Sequence, residues 1–527
     1  MIKTIITGLV SLLVAANCAF AASSSVLPAK ILRFVPQADL KVLDPMYTTN
    51  YVTRNFGYMV YDTLFSQDAQ GVPQPQMVEK YAKSQDGRRW TFTLRPGLEF
   101  QDGSALTSAD CIASLKRWAT KDSYGGAMMA AGAKWESIDD HTFTLTLDKP
   151  FGLVLEALSK VSSYAPFIMS EKAITAAGIG PVTDINSSGP YIFKRDEWAP
   201  GNKVVFVRNP HYVGRSDPPS YLAGNKSASN DRVEWLILPD ANSASAALMS
   251  GEVDVLELVP PDNVPSLRTD PDVKVGTGGA YQASLIVNQL HPPFNNAQAR
   301  QAMLYAVNQE AFMAGMGYGK DMRLKHCSSF FICGAANDTN AGSEPFQKPN
   351  IEKARQLLVE SGYKGEKVVV LVPTDYANLN SAALITIQTM KQVGFKVDAQ
   401  SMDWATIVSR RVKKVAPEEG GWSAYATFAV ASSVDSPLSN FMLGARCGNS
   451  MPGWPCDEEL DALRAAWVRA TDSVTRKDAL DRFQRRAFEV VPYIPLGQYS
   501  GVFAVRKVIK NYDALHYDVP TLWRLGK

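Results

Sequence analysis

Residues 420–456, GGWSAYATFAVASSVDSPLSNFMLGARCGNSMPGWPC, gather the side chains best suited to holding a small molecule. Trp422, Tyr425 and Phe428 stand three apart, a small uncharged run follows, and Asp435 then supplies a lone carboxylate. Val430 and the aromatics suit a strand. Ser432, Ser433, Asp435 and Pro437 suit the loop that leaves it. Aromatic faces and one carboxylate at a strand end would line a cleft that holds a solute by apolar contact and a charged hydrogen bond. The same residues also describe a buried strand followed by an ordinary turn, with Asp435 capping a helix from Leu438.

Spacing dismisses the common catalytic arrangements. There is no G-x-S-x-G nucleophile elbow and no H-E-x-x-H zinc pair. Residues 315–320 (GMGYGK) superficially fit a phosphate loop, but Asp321 follows the lysine where a Ser or Thr must ligate the metal, and it would repel phosphate. Gly276 and Gly278 lack the third glycine of a dinucleotide fingerprint. The five histidines, at 141, 211, 291, 326 and 516, are scattered. His326 and Cys327 with Cys333 form the one local metal option, set against a disulfide between the two cysteines. Carboxylate pairs such as Asp139-Asp140 and Glu418-Glu419 sit in polar turns. With no acid/base pair to favour, the balance tips towards binding over catalysis, with no catalytic residue, cofactor or metal expected.

Those side chains need a scaffold. At 527 residues the chain exceeds one ordinary core. It is 46% apolar and 20% charged, which marks a folded globular protein. A net charge of +2 argues against electrostatic nucleic-acid binding. The N-terminus reads as a signal peptide over residues 1–21: Lys3, an apolar stretch over residues 5–16, then Ala19-Phe20-Ala21 as cleavage site. An exported chain permits disulfides. Local pairing, Cys327 with Cys333 and Cys447 with Cys456, is the simplest connectivity among those the sequence allows, and Cys111 is left as a small buried hydrophobe.

Alternating apolar residues predict strands over residues 31–35, 90–94, 142–147, 191–195, 203–208, 232–238, 254–258, 284–288, 368–372, 395–400 and 500–505. Helical spacing predicts helices over 52–64, 107–118, 153–160, 241–250, 297–307, 351–360, 382–393, 458–470 and 475–489. Their interleaving in the second half of the chain implies an α/β domain. The glycines at 276, 278 and 279 add backbone freedom at one point.

Four stretches together resemble family 5 of the extracytoplasmic solute-binding proteins of ABC importers, which includes dipeptide-, oligopeptide- and nickel-binding proteins. They are YAKSQDGRRWTFTLRPG (81–97) with FQDG (100–103), SGPY (188–191), LIVN (285–288) with PF (293–294) and ARQAMLYAVN (299–308), and EKARQLL (352–358) with SGY (361–363). The resemblance spans nearly the whole mature chain and follows the family's order.

The resemblance implies a two-lobed, three-domain α/β protein of the type II periplasmic-binding-protein fold, with a cleft between lobes joined by two hinge crossings. Lobe I would comprise residues 22–56, 187–278 and 500–527, with an extra domain, 57–186, inserted in it, and lobe II residues 279–499. Gly276, Gly278, Gly279 and Gly501 would then fall at the hinge. The family's usual ligand contacts would place Tyr47, Thr48, Thr49 and Tyr51 opposite Phe428, Ser432, Ser433 and Asp435, with Trp404 and Trp422 as further lining. The family's peptide binders hold an amino terminus with an aspartate in a D-x-x-D-P arrangement. Here the first acidic position is Ser432 or Ser433 and Ser436 separates Asp435 from Pro437, which leaves open whether Asp435 anchors an amine. The expected role is a monomeric periplasmic protein that takes up a peptide or similar small organic solute by hinge closure and delivers it to permease subunits in the inner membrane. A metal or metal-chelate carrier and a secreted hydrolase are the alternative expectations.

Overall fold

The computed structural model describes residues 29–527 apart from Lys325, Asp375, Gly448 and Asn449. The expected signal peptide, residues 1–21, lies outside the described residues. No helix among them is long and apolar enough to cross a membrane.

The apolar alternation read from the sequence becomes one ten-stranded mixed sheet. From edge to edge it runs Lys396–Met402, Lys367–Pro373, Ala424–Val430, Val273–Val287, Ile494–Arg506, Val255–Leu256, Ile31–Val35, Arg232–Leu236, Lys203–Arg208 and Tyr191–Phe193. The two long strands in the middle pair antiparallel from Val273 opposite Arg506 to Leu285 opposite Ile494. Ala424–Val430 pairs with the far part of the first, over residues 281–287. Val255–Leu256 pairs with the opposite end of the second, at Val505 and Ala504. Those two strands therefore connect the sheet's halves, one half in each lobe.

The strand expected over residues 500–505 is thus part of a 13-residue strand. Pro495 masks its first half in the sequence, because proline cannot donate to a ladder. The structure accommodates it where the pairing register shifts between Ala283 and Ser284. The helix expected over 52–64 ends at Val60. The helix Ala241–Ser250 forms where predicted: Asp240 accepts from the Ser243 N–H, and Gly251 closes it at φ 81°.

A four-stranded antiparallel sheet lies apart from the large one, in the order Val78–Lys83, Arg89–Leu94, Thr142–Thr146, Lys134–Asp139. Its buried face comes directly from alternation: Trp90, Phe92 and Leu94 point inward while Thr91 and Thr93 do not. The helix Ser108–Ala119 covers it, and the Asp110 carboxylate accepts from the Thr107 N–H at the helix start.

Gly276, Gly278, Gly279 and Gly501 lie on the two crossing strands. None of Gly276, Gly278, Gly279 and Gly501 adopts a positive φ. Their small size is what the fold uses. A Cβ at Gly276 would stand 2.3 Å from the Phe503 ring, one at Gly279 2.2 Å from an Asp518 carboxylate oxygen, and one at Gly501 2.7 Å from the Tyr281 ring. The ladder also shifts register between Thr277 and Ala280, beside these residues.

Cys327 is joined to Cys333 and Cys447 to Cys456, and Cys111 is a buried free thiol. The polar stretch between two strands, residues 213–230, carries Lys226, which is wholly buried and sits 2.8 Å from Asp62.

Candidate functional site

The lobes meet along the strand end and loop singled out in the sequence. Tyr51 opens the helix Tyr51–Val60, and its hydroxyl lies 3.4 Å from the Ser433 hydroxyl and accepts from the Val430 N–H at 3.4 Å. From the C-terminal tail, Asp518 accepts the Ser432 N–H at 2.8 Å. Arg54, one helical turn after Tyr51, stacks its guanidinium over the Tyr51 ring and donates to the Asp518 carbonyl at 2.5 Å.

Rings continue this contact. Tyr281 packs on both Tyr499 and Phe428, Phe428 on Tyr376, and Tyr376 on Trp404, while Tyr318 stacks on Tyr499. Because Tyr281 and Tyr499 are opposite one another on the crossing strands, the ladder places an aromatic wall at the junction of the lobes. Glu257 lies on the lobe I side, held by Asn55 at 2.8 Å and by the Gln37 N–H at 2.8 Å, and burial pushes its carboxyl up.

Asp435 lies in a cavity of about 320 Å³. One wall is Tyr124, Leu153, Glu156 and Lys160, and the facing wall is Ser432, Ser436, Ser439, Trp467 and Arg476. The Tyr124 and Ser436 hydroxyls meet across it at 2.8 Å. Asp435 accepts from the Ser439 hydroxyl at 2.6 Å and makes no ion pair among the described residues. No helix starts there, so it is not the cap that its neighbour Pro437 allowed. Burial pushes its carboxyl up to about 6, and the charge of Asp518 adds to the effect, against the Ser439 hydrogen bond and Lys160. Lys160 itself is ion-paired with Asp122.

The structure brings Tyr51, Phe428, Ser432 and Ser433 together, sets Asp435 in the adjoining cavity, and puts half-buried Trp404 at the end of the ring ladder. Tyr47, Thr48 and Thr49 occupy the turn before the helix, and among the described residues none of them hydrogen-bonds to the 428–435 segment. Trp422 must be removed from the lining. It is fully buried behind the strand, packed on Tyr425 and Trp454, with its indole N–H bound to the Arg411 carbonyl. The His326 and Cys327 metal option also falls, because both cysteines of that loop are spent in a disulfide. Among the described residues, no three His, Cys, Asp or Glu side chains are placed to hold a metal ion. Sequence reasoning missed Arg54, Glu257, Tyr281, Tyr376 and Asp518. The available signal was a lone charge in an apolar setting: Arg54 within YVTRNFGYMV and Glu257 within VLELV.

A sheet crossed by two strands, an aromatic wall where they cross, and a cavity walled by residues within 67–161 on one side and 336–476 on the other make the layout of a protein that encloses a solute. Residues 72–449 match the family described as bacterial extracellular solute-binding proteins, family 5, middle region. The chain belongs to this family. It is 36% identical over 500 residues to the probable peptide ABC transporter periplasmic-binding protein y4tO of Sinorhizobium fredii, covering 93% of this chain and 92% of that one. Among solved structures it resembles the dipeptide-binding protein of Pseudoalteromonas sp. SM9913 in complex with Met-Leu (TM-score 0.79, 19% identity, 94% of this chain and 100% of that one). It also resembles NikZ of Campylobacter jejuni in complex with Ni(L-His) (TM-score 0.77, 18% identity, 95% and 100%). The fold is accordingly the two-lobed type II fold of periplasmic binding proteins. This family 5 protein is a solute-binding protein that works outside the cytoplasm, and it is not an enzyme.

Proposed function

We propose that this solute-binding protein is the capture component of an ABC importer for a peptide or similar small organic solute carrying a protonated amine. The observation that carries the reading is Asp435: a buried carboxylate with no ion pair among the described residues, in a cavity walled from two sides. A buried carboxylate calls for a positive charge, and a solute ammonium supplies it through charge-assisted hydrogen bonds. The name of the Sinorhizobium fredii relative supports peptide transport, while the Met-Leu and Ni(L-His) complexes show one fold accepting different solute classes.

In this reading lobe I is residues 22–56, 187–278 and 500–527, the extra domain 57–186, and lobe II 279–499. The strands through Gly276, Gly278, Gly279 and Gly501 are the hinge. Solute contacts come from Tyr51, Trp404, Phe428, Ser432, Ser433 and Asp435, with Tyr47, Thr48 and Thr49 at the mouth. A solute touching both lobes favours the closed form by its differential affinity, and the closed form docks on the permease in the inner membrane. The mature protein begins after Ala21 and acts as a monomer.

Native mass spectrometry of the freshly purified mature protein, followed by denaturation, tests this. The expected result is a one-to-one complex that releases an amine-bearing solute or peptide mixture. Release of a bound metal ion with no organic solute would overturn it.

A further inference from the structure

The extra domain touches lobe II at one point where no side chain fits. Gly152 begins the short turn before the helix Val154–Leu158. Its N–H donates to the Val468 carbonyl at 3.2 Å, and its carbonyl accepts from Arg476 at 2.8 Å. Arg476 also donates to the Ala470 carbonyl at 3.0 Å and pairs with Glu156 at 3.6 Å. A Cβ at 152 would lie 2.2 Å from the Ala470 carbonyl oxygen, 3.0 Å from an Arg476 nitrogen and 3.1 Å from the Ala470 carbonyl carbon. The nearest of these belongs to backbone and cannot swing aside. Gly152 is not among the positive-φ glycines, so the backbone itself imposes no need for glycine. The need arises only where lobe II comes against it.

Leu153, Glu156 and Arg476 also line the cavity that holds Asp435. The contact therefore seals one end of the solute's chamber. Closing the lobes brings residues 151–156 onto residues 468–476, and opening them parts both the backbone hydrogen bonds and the Glu156–Arg476 pair.

We propose that Gly152 is a positioning residue for solute capture: it lets the extra domain lock backbone-to-backbone onto lobe II, and so sets how long a captured solute is retained. The proposal rests on the capture reading above. It gives the extra domain a direct part in holding the solute, through contacts that do not depend on which solute is bound.

Paired spin labels at Asp148→Cys and Asp478→Cys read the separation of extra domain and lobe II. Both sites are exposed, and the natural cysteines are either in disulfides or buried. The mature protein is measured as purified with the solute it carries, then after stripping by unfolding and refolding. The wild type should show a short-distance population as purified that is lost on stripping. Gly152→Val should lower the short-to-long ratio by roughly ten-fold or more, as overpacking against backbone implies, with solute dissociation faster by a similar factor. Gly126→Ala, at an exposed helical glycine with only a 3.9 Å neighbour, should leave the ratio unchanged. The thermal midpoint of the stripped Gly152→Val protein should match that of the stripped wild type, because the open form has room for the side chain. If that variant fails to fold, Glu156→Gln replaces it, with an expected two-fold or so loss in the same direction. A wild-type short population retained in whichever of these variants folds would overturn the proposal, as would a wild type that never shows one. If the wild-type distances ignore stripping while Gly152→Val still shifts them, the capture reading fails and the lock stands.

Discussion

In the proposed capture of an amine, Asp435 carries the chemistry in one side chain. Its carboxyl is pushed up to about 6 because burial, and then the charge of Asp518, disfavour ionisation. An acid whose folded pKa lies above its unfolded value holds its proton more tightly when folded. Its stabilising contribution is present at low pH and lost as pH rises through about 6. The thermal midpoint of solute-free wild type, measured relative to Asp435→Asn, should therefore fall between pH 4 and pH 6 and then level off. Binding has the opposite sign, since only the ionised carboxylate attracts an ammonium. Calorimetric titration with the solute released from the protein should show affinity weakening as pH drops below about 6. Asp435→Asn should bind roughly 10- to 100-fold more weakly at pH 8, the size of a lost charged hydrogen bond, and lose most of the pH dependence. Equal wild-type affinity at pH 5 and pH 8 would remove Asp435 from the site. The sequence drew attention to Asp435 and Phe428 because composition and spacing marked their segment, and the structure sets Phe428 against Tyr281 and Asp435 on a cavity. It misplaced Trp422, because spacing shows where aromatics recur but not that Trp454 would cover this one. Asp518 was out of reach: its partner Ser432 is 86 residues away, and nothing local to a carboxylate in a tail announces such a contact.

At the scale of elements, local signals and long-range pairing contributed unequally. Helices with strong caps formed where predicted, as at Ala241–Ser250 and Ile351–Glu360, because their stop and start groups are written within a few residues. The strand Ile494–Arg506 was only half legible, because Pro495 is tolerated through a register shift in which Leu496 is skipped between Pro495 opposite Ser284 and Gly497 opposite Ala283. The polar segment over residues 213–230 carries a buried ion pair. Lys226 binds Asp62 at 2.8 Å, the Tyr212 hydroxyl donates to the same carboxylate at 3.0 Å, and the ammonium lies over the Trp523 ring at 5.6 Å. This fastens the turn after the helix Tyr51–Val60, the 209–230 segment and the C-terminal tail to one another. Lys226→Met would leave Asp62 buried beside three neutral donors, Tyr212, Gln76 and the Thr63 N–H. Denaturant unfolding should show a loss of about 3–5 kcal/mol, whereas a surface pair such as Lys134–Asp148 should contribute less than about 1 kcal/mol. A Lys226→Met protein of unchanged stability would mean that the pair only replaces hydration it could recover elsewhere.

The whole molecule is organised by two strands that belong to both lobes. The glycines on them are small because Phe503, Asp518 and Tyr281 come against the backbone there, so the crossing is close-packed in this conformation rather than loose. A hinge of this kind moves between two packed arrangements, and a solute shifts the balance only through contacts it makes better in one of them. In the proposed capture, the contacts from Tyr51 to Ser433, Asp518 to Ser432, and Gly152 to Val468 belong to the closed arrangement. The family and its two-lobed fold were legible from four separated motifs, since these residues build strands of both sheets and helices that cover them. The closing contacts were not, because each joins positions from distant parts of the chain. Small-angle scattering tests the central claim most directly. The mature protein, stripped by unfolding and refolding, is measured before and after the released solute is added back. Capture by closure predicts a smaller radius of gyration and a shorter maximum dimension on adding solute, saturating at one equivalent. A profile that stays the same while the solute is demonstrably retained would contradict it.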